Sequence, residues 1–529
     1  MSEDQKKILE QKLWDIANIL RGKISANQFQ DYILGFIFYK YLSEKMEVEA
    51  DKILKPDKIK FADIKENTAN GKKLLNAVKH EMVEHLGFFL KPSELFRSLA
   101  LKGQNEETVN DAGETVQAFI LEDLAAVLKN IERSTMGADS QEDFDQLFYD
   151  IDLNSTKIGR TEKDRNAVIT RILVSLNDID FNLSDTNSDV LGDAYEYLIK
   201  KFAEGAGQKA GEFYTPPEVS TVLAKLVTSR KKKIKSVYDP TCGSGSLLLR
   251  VSKEANVGHF YGQEQNRTTY NLARMNMILH DVPYQKFNIV HEDTLERPGH
   301  MDEGTFEAIV ANPPFSAHWK ADPLKMNDER FAAYGKLAPA TKADFAFIQH
   351  MVHMLDENGI MACVAPHGVL FRGAAEGHIR RFLIEERNYI DAIIGLPANL
   401  FYGTSIPTCI LVLKKCKEHP NDILFIDASQ DYEKGKNQNT LSPANINDIV
   451  AAYLNRKPIP KYAAVATLDD VKANDYNLNI PRYIDTFEAE EHIDLGKTAA
   501  ELVSLQQQMT ATQKNIAAFC KELGIKPPF

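Results

Sequence analysis

The chain has 529 residues, too many for one hydrophobic core, so two or three domains are expected. Its 43% hydrophobic and 26% charged content reads as an ordinary soluble protein, and no internal repeat or low-complexity segment interrupts it. A net charge of −12 argues against a chain that grips DNA alone, so a nucleic-acid substrate would call for a partner to supply much of the phosphate contact.

No stretch approaches ~20 uncharged apolar residues, and Met1 to Lys7 run into an amphipathic pattern without a secretory core. Cys242, Cys363, Cys409, Cys416 and Cys520 are widely scattered, which fits a reduced compartment, and the expected location is cytoplasmic. Residues 5–160 read as mostly helical. Leu13, Ile16, Ala17 and Leu20 recur at helical spacing, and Ser25 could cap a second helix around Gln28 to Lys45. That helix carries Phe29, Tyr32, Ile33, Phe36, Ile37, Tyr39 and Leu42, an apolar face broad enough to need burial on several sides. Asn105–Glu114 reads as a polar loop, with further helices predicted over Val116–Ile131, Val168–Leu176 and Val190–Phe202.

From Ser236 the period changes. Short apolar runs at Ser236–Asp239, His259–Gly262, Phe287–His291, Phe306–Ala311, Gly359–Ala365, Ile390–Gly395 and Thr408–Leu413 alternate with helical stretches, which predicts a doubly wound α/β sheet. Pro458, Pro460 and the polar run Lys434–Asn439 mark its loosening end. The tail is helical again: Leu495, Ala499, Leu502, Gln506, Met509, Gln513, Ile516, Cys520 and Leu523 follow a 4-3 spacing suited to a partner helix or to packing on its own domain.

Two constellations carry chemistry. Asp239-Pro240-Thr241-Cys242-Gly243-Ser244-Gly245-Ser246 is a strand end, a tight turn and a helix start, where Gly243 and Gly245 let backbone approach a ligand. The next strand ends at Glu264, where a carboxylate can accept both ribose hydroxyls of a nucleoside cofactor, and the third ends near Asp293, which could accept from an adenine amino group. No triphosphate-binding loop and no third glycine of a dinucleotide fingerprint are present, so S-adenosylmethionine, which has no phosphate, fits best. The second constellation is Asn312-Pro313-Pro314-Phe315, after the run Phe306–Ala311. The Asn312 amide oxygen and the Pro313 carbonyl can each accept a hydrogen bond from an exocyclic amine, the prolines stiffen the backbone, and Phe315 offers a ring face. The alternative is a Pro-Pro turn after a strand.

In this order, Asp-Pro-x-x-Gly-x-Gly, an acidic second-strand tip and Asn-Pro-Pro-Phe resemble the amino-methylating DNA methyltransferases. Gly211-Glu212-Phe213-Tyr214-Thr215-Pro216-Pro217 resembles the cofactor-carboxylate motif of the subclass in which it precedes the glycine turn. With Phe401-Tyr402-Gly403-Thr404-Ser405-Ile406-Pro407-Thr408, Asp475 to Tyr483 and the helical N-terminus, the whole chain resembles the modification subunit of type I restriction-modification systems, of the N6-adenine DNA methyltransferase family. The resemblance implies a helical domain over residues 1–160, a Rossmann-like methyltransferase domain over 161–475 and a helical tail over 476–529 for subunit contact. It implies that Glu212, Phe213, Tyr214, Thr215, Pro216 and Pro217 cup the methionine part of S-adenosylmethionine, that Gly243, Ser244, Gly245 and Ser246 turn beneath it after Asp239, that Glu264 holds the ribose, and that Asp293 faces the adenine.

On this resemblance Asn312, Pro313, Pro314 and Phe315 are the catalytic residues, holding the N6 amine of an adenine flipped out of DNA, with Phe401 or Tyr402 as a second ring face. The implied partners are DNA, a specificity subunit, a second modification subunit and, in the complete enzyme, a restriction subunit. The alternatives are a non-catalytic assembly subunit or a glutamine-N5 or cytosine-N4 methyltransferase. No metal is expected: His80 and His85 are five apart where a zinc helix needs four, and His350 and His353 have no third ligand nearby. Arg230 to Lys235 reads as a solvated basic loop, and Asp344 either borders the target base or caps a helix.

Overall fold

The computed structural model describes residues 3–18, 26–104, 107–109, 115–117, 119–181, 190–206, 214–402, 404–436, 438–485 and 494–529. The chain divides into two compact units, residues 1–484 and 485–529.

The first unit opens with helices Glu3–Ala17, Ala26–Leu54, Ala69–Leu86, Phe96–Gln104, Leu121–Ser134, Glu162–Asn177 and Val190–Ala206. Local signals set their ends: Thr68 accepts from the Gly71 N–H to open one, and Gly87, at φ 87°, closes it in the left-handed conformation. The all-round apolar helix Ala26–Leu54 is buried on several sides, as its pattern requires. Its tyrosine tips find acceptors, Tyr39 Oη on the Glu94 carbonyl at 2.6 Å and Tyr32 Oη on the Asp152 carbonyl at 2.7 Å. The Ser25 cap lies outside the described residues. The stretch expected to be a loop carries strand Glu107–Val109, paired antiparallel with Thr115–Gln117. The register sets Thr108 opposite Val116 in this hairpin, so the next helix starts at Leu121 and not at Val116.

Nine strands form the sheet: β1 (Lys233–Asp239), β2 (Asn256–Glu264), β3 (Phe287–His291), β4 (Phe306–Ala311), β5 (Leu355–Pro366), β6 (Ile390–Gly395), β7 (Thr408–Leu413), β8 (Asp422–Asp427) and β9 (Ala463–Thr467). Their spatial order is β9-β8-β6-β7-β5-β4-β1-β2-β3. Only β7 and β9 run antiparallel to their neighbours. The seven strands expected from the sequence are all present, and the sheet extends two strands beyond them. The supposed loosening end, Lys434 to Pro460, lies between β8 and β9 and holds part of a short hairpin, Glu433–Lys434 with Asn439–Thr440, and helix Pro443–Asn455. Chain order reverses between β1 and β4, the switch point where open α/β sheets build their crevice.

Helices Pro217–Val227, Ser246–Glu254 and Pro443–Asn455 pack on one face and Asp344–Met354 and Ala374–Arg381 on the other. Helix Arg267–Leu279 is shared: Ala273 and Met277 join the sheet core, while Leu272, Met275 and Leu279 join the core of the N-terminal helices. Among the described residues, no helix is long and apolar enough to cross a membrane.

Candidate active site

Strand register brings the site together. Tyr238 pairs with Ile309, Asp239 with Gly262 and Glu264 with His291, so the β1 turn, Glu264, the loop to Asp293 and Asn312 all leave the sheet at its carboxyl edge.

The glycine turn is held from both sides. Gly243 and Gly245 have φ of 54° and 75°, which L side chains rarely adopt. Glu264 accepts from the Gly243 N–H at 3.1 Å and the Asn266 N–H at 2.7 Å. Burial raises its pKa, and these backbone donors together with the Gln265 N–H oppose the rise. Asp239 is 1% exposed and accepts from the Thr241 N–H at 2.9 Å. Burial pushes its carboxyl up to about 7, opposed by that bond and aided by the Glu264 charge. Ser244 and Ser246 hydroxyls bond each other at 2.9 Å, and Asn276 Nδ2 donates to the Ser244 carbonyl at 3.0 Å. Asn276, fully buried on helix Arg267–Leu279, was not among the residues singled out from sequence. Asp293 accepts from the Leu295 N–H at 2.9 Å, bracing its own loop.

Pro217 opens the helix that packs against β4 and β5, and Pro216 is buried beside it. Thr215 Oγ1 accepts from Asn312 Nδ2 at 3.2 Å, joining the upstream motif to the strand-end motif. Asn312 Oδ1 is shielded from water and meets no donor among the described residues. Tyr214 is buried 6.0 Å from the Tyr402 ring, whose hydroxyl donates to Glu204 at 3.2 Å. Glu212 and Phe213 lie outside the described residues.

Beyond Pro313 and Pro314, Phe315 is half-buried and meets buried Phe401 edge-on, with centroids 5.7 Å apart and planes at 79°. Ser316 takes a positive φ of 51°, and its N–H donates to Asp344 Oδ1 at 2.8 Å. Asp344 is thus the first residue of its helix and a strut for this loop, not the cap, which is Ala343; Arg372 donates to its other oxygen at 3.3 Å. His350, read as structural, bridges Tyr238 and Arg330 in the core. Arg230 and Lys231 pair with Glu418 and Glu307. No group of three metal-ligating side chains occurs among the described residues.

The arrangement offers an acceptor at a strand end beside an aromatic ring and a backbone-lined, acidic turn. Known proteins resemble this chain over nearly its whole length. The N-6 DNA Methylase family model matches residues 186–492 and the HsdM N-terminal domain model residues 9–176. The type I restriction enzyme MpnII methylase subunit of Mycoplasma pneumoniae is 37% identical over 97% of this chain and 96% of its own. The MjaVIII methylase subunit of Methanocaldococcus jannaschii is 29% identical over 93% of this chain and 81% of its own. A crystal structure of the type I restriction-modification methyltransferase subunit from Streptococcus thermophilus superposes with a TM-score of 0.81 at 40% identity, covering 91% of this chain and all of that one. The chain therefore belongs to the N-6 DNA methylase family and is a type I restriction-modification methylase subunit, an N6-adenine DNA methyltransferase.

Proposed function

We propose that the chain methylates an adenine flipped out of DNA, with Asn312 to Phe315 as the floor of the target site and the glycine turn as the cofactor cradle. The observation that carries this reading is the shielded Asn312 Oδ1, an acceptor without a donor at the end of β4. Membership of the family makes the enzyme S-adenosylmethionine-dependent, and the described residues fit that cofactor. A Cβ on Gly262 would lie 2.9 Å from Cys242 Sγ, so backbone alone fits beneath the turn. Glu264 accepts from backbone through both oxygens and keeps further lone-pair capacity for a ribose diol. Tyr214, Thr215, Pro216 and Pro217, with Glu212 and Phe213, would cup the methionine part, Gly243 to Ser246 would turn beneath it after Asp239, and Asp293 would face the adenine.

When bound, S-adenosylmethionine supplies an electrophilic methyl group. Asn312 Oδ1 and the Pro313 carbonyl accept the two N6 hydrogens of the target, which favours a pyramidal nitrogen and draws its lone pair out of ring conjugation. The nitrogen grows acidic as it is alkylated, so its proton passes to water and no side-chain base is required. Phe315, steadied by Phe401, stacks on the flipped base. Most of the rate then comes from positioning.

A type I methylase subunit works within a multi-subunit assembly. The partners we propose are a specificity subunit that chooses the DNA sequence, a second copy of this chain and, in the complete enzyme, a restriction subunit. The test is Asn312→Ala assembled with the specificity subunit. Methylation should fall at least about 100-fold with cofactor affinity retained. Near-normal methylation by the variant, or N4-methylcytosine as the wild-type product, overturns the reading.

A further inference from the structure

We propose that Thr215 is a positioning residue for methyl transfer: it holds the Nδ2 end of the Asn312 amide and so leaves Oδ1 as the acceptor for the target amine. This rests on the role assigned to Asn312 above and adds to Thr215 a task beyond cupping the cofactor.

An asparagine amide is nearly symmetric in shape and opposite in polarity at its two ends. A half-turn about its last bond would present a donor to an amine that itself donates, and the two would repel. In the structure Nδ2 donates to Thr215 Oγ1 at 3.2 Å and Oδ1 is left without a partner, so the bond pins the plane of the amide and the place of its acceptor. Thr215 is a firm anchor because its neighbours are fixed in two directions. Tyr214 is buried in the core of the N-terminal helices, against Tyr402. Pro216 and Pro217 have restricted φ and lead into a helix whose Val219, Val222, Leu223 and Leu226 are fully buried on the sheet. The hydroxyl is thus referenced to both halves of the first unit and reaches a side chain 97 residues away.

The test compares Thr215→Val, which keeps shape and removes the hydroxyl, with Thr215→Ser, which keeps the hydroxyl. Each is measured in the intact methyltransferase with its specificity subunit, for kcat, cofactor Kd and melting temperature. Thr215→Val should lower kcat roughly 10- to 100-fold, well beyond any change in cofactor Kd, and Thr215→Ser should recover most of the loss in kcat. If Thr215→Val fails to fold, Thr215→Ala takes its place, with the same split expected. A weakened cofactor Kd with unchanged kcat assigns Thr215 to the cofactor alone and overturns the inference. Asn312→Ala separates the two failures: an inactive Asn312→Ala beside a fully active Thr215→Val defeats this inference only, whereas an active Asn312→Ala defeats the reading beneath it.

Discussion

Asp239 and Glu264 are two carboxylates under one glycine turn, and burial raises the pKa of both. For Asp239 the shift, from 3.8 to about 7, has a stability consequence with a definite sign. The folded chain binds this proton more tightly than the unfolded chain does. The stabilising contribution is therefore complete below about pH 4 and lost as pH rises through about 7. Asp239→Asn keeps an acceptor for the Thr241 N–H and removes the titration. Its melting temperature relative to wild type should climb between about pH 4 and 7 and level off above. A difference flat across that window would mean that Asp239 stays ionised when folded. Asp239, Glu264 and Asn312 were legible in the sequence because each is a telling residue type at the tip of an apolar run. The partners of that set were not. Asn276 meets Ser244 from 32 residues away, and no local pattern marks a buried asparagine as a brace.

Among the elements, the least regular segment does much of the fixing. The chain from Ser316 to Ala343 carries only short helical turns, yet Arg330, 2% exposed, clamps it to the loop beside Asp293. Its Nη1 donates to the Thr294 carbonyl at 2.9 Å, its Nη2 to the Leu295 carbonyl at 3.1 Å and to Asp328 at 2.7 Å. Arginine cannot accept, so at 3.2 Å it makes His350 Nδ1 the acceptor, and Nε2–H then donates to Tyr238 Oη at 2.9 Å. Burial first and the Arg330 charge second lower the His350 pKa, in keeping with that neutral tautomer. Arg330→Met would strand two carbonyls and Asp328, and should cost about 3 kcal/mol in urea unfolding and weaken cofactor binding. Arg330→Lys should recover little, because one ammonium cannot reproduce the fork; full stability in either variant would show the clamp to be idle. None of this was visible beforehand, since the segment has no periodicity to read. Seven strands were legible, because buried strands are continuous apolar runs; β8 was missed although its Ile423 to Ile426 are such a run. The last strand escaped for the opposite reason: Ala463-Ala464-Val465-Ala466-Thr467 is short and small-sided, and its pairing with β8 supplies the order that its composition does not.

At the scale of the molecule, one helix makes the first unit a single body. Arg274, on the shared helix Arg267–Leu279, donates to the carbonyls of Glu142 at 2.8 Å and Asp145 at 3.1 Å, and its guanidinium lies 4.2 Å from the Tyr270 ring. Tyr41 Oη adds a bond to the Ile278 carbonyl at 3.0 Å. The glycine turn and the N-terminal helices thus share a wall, and the described core clusters of this unit draw on residues from Leu9 to Ile484. The second unit is a different kind of object. Helix Leu495–Glu522 is capped by Asp494 and leaves Leu495 78%, Leu502 61% and Met509 60% exposed, three members of its 4-3 stripe. A stripe of that size suits a partner helix. The charge points the same way: at −12 the chain is poorly suited to meet DNA phosphates by itself. A chain ending at Ile484 should therefore melt as one unit and bind S-adenosylmethionine with unchanged affinity, because every residue of the proposed cradle precedes Ile484 in sequence. It should neither co-elute with the specificity subunit on gel filtration nor methylate DNA in its presence. Leu502→Asp with Met509→Asp in the full chain should reproduce that loss with the first unit untouched. If the shortened chain assembles and methylates normally, the specificity subunit docks elsewhere and the stripe serves another contact.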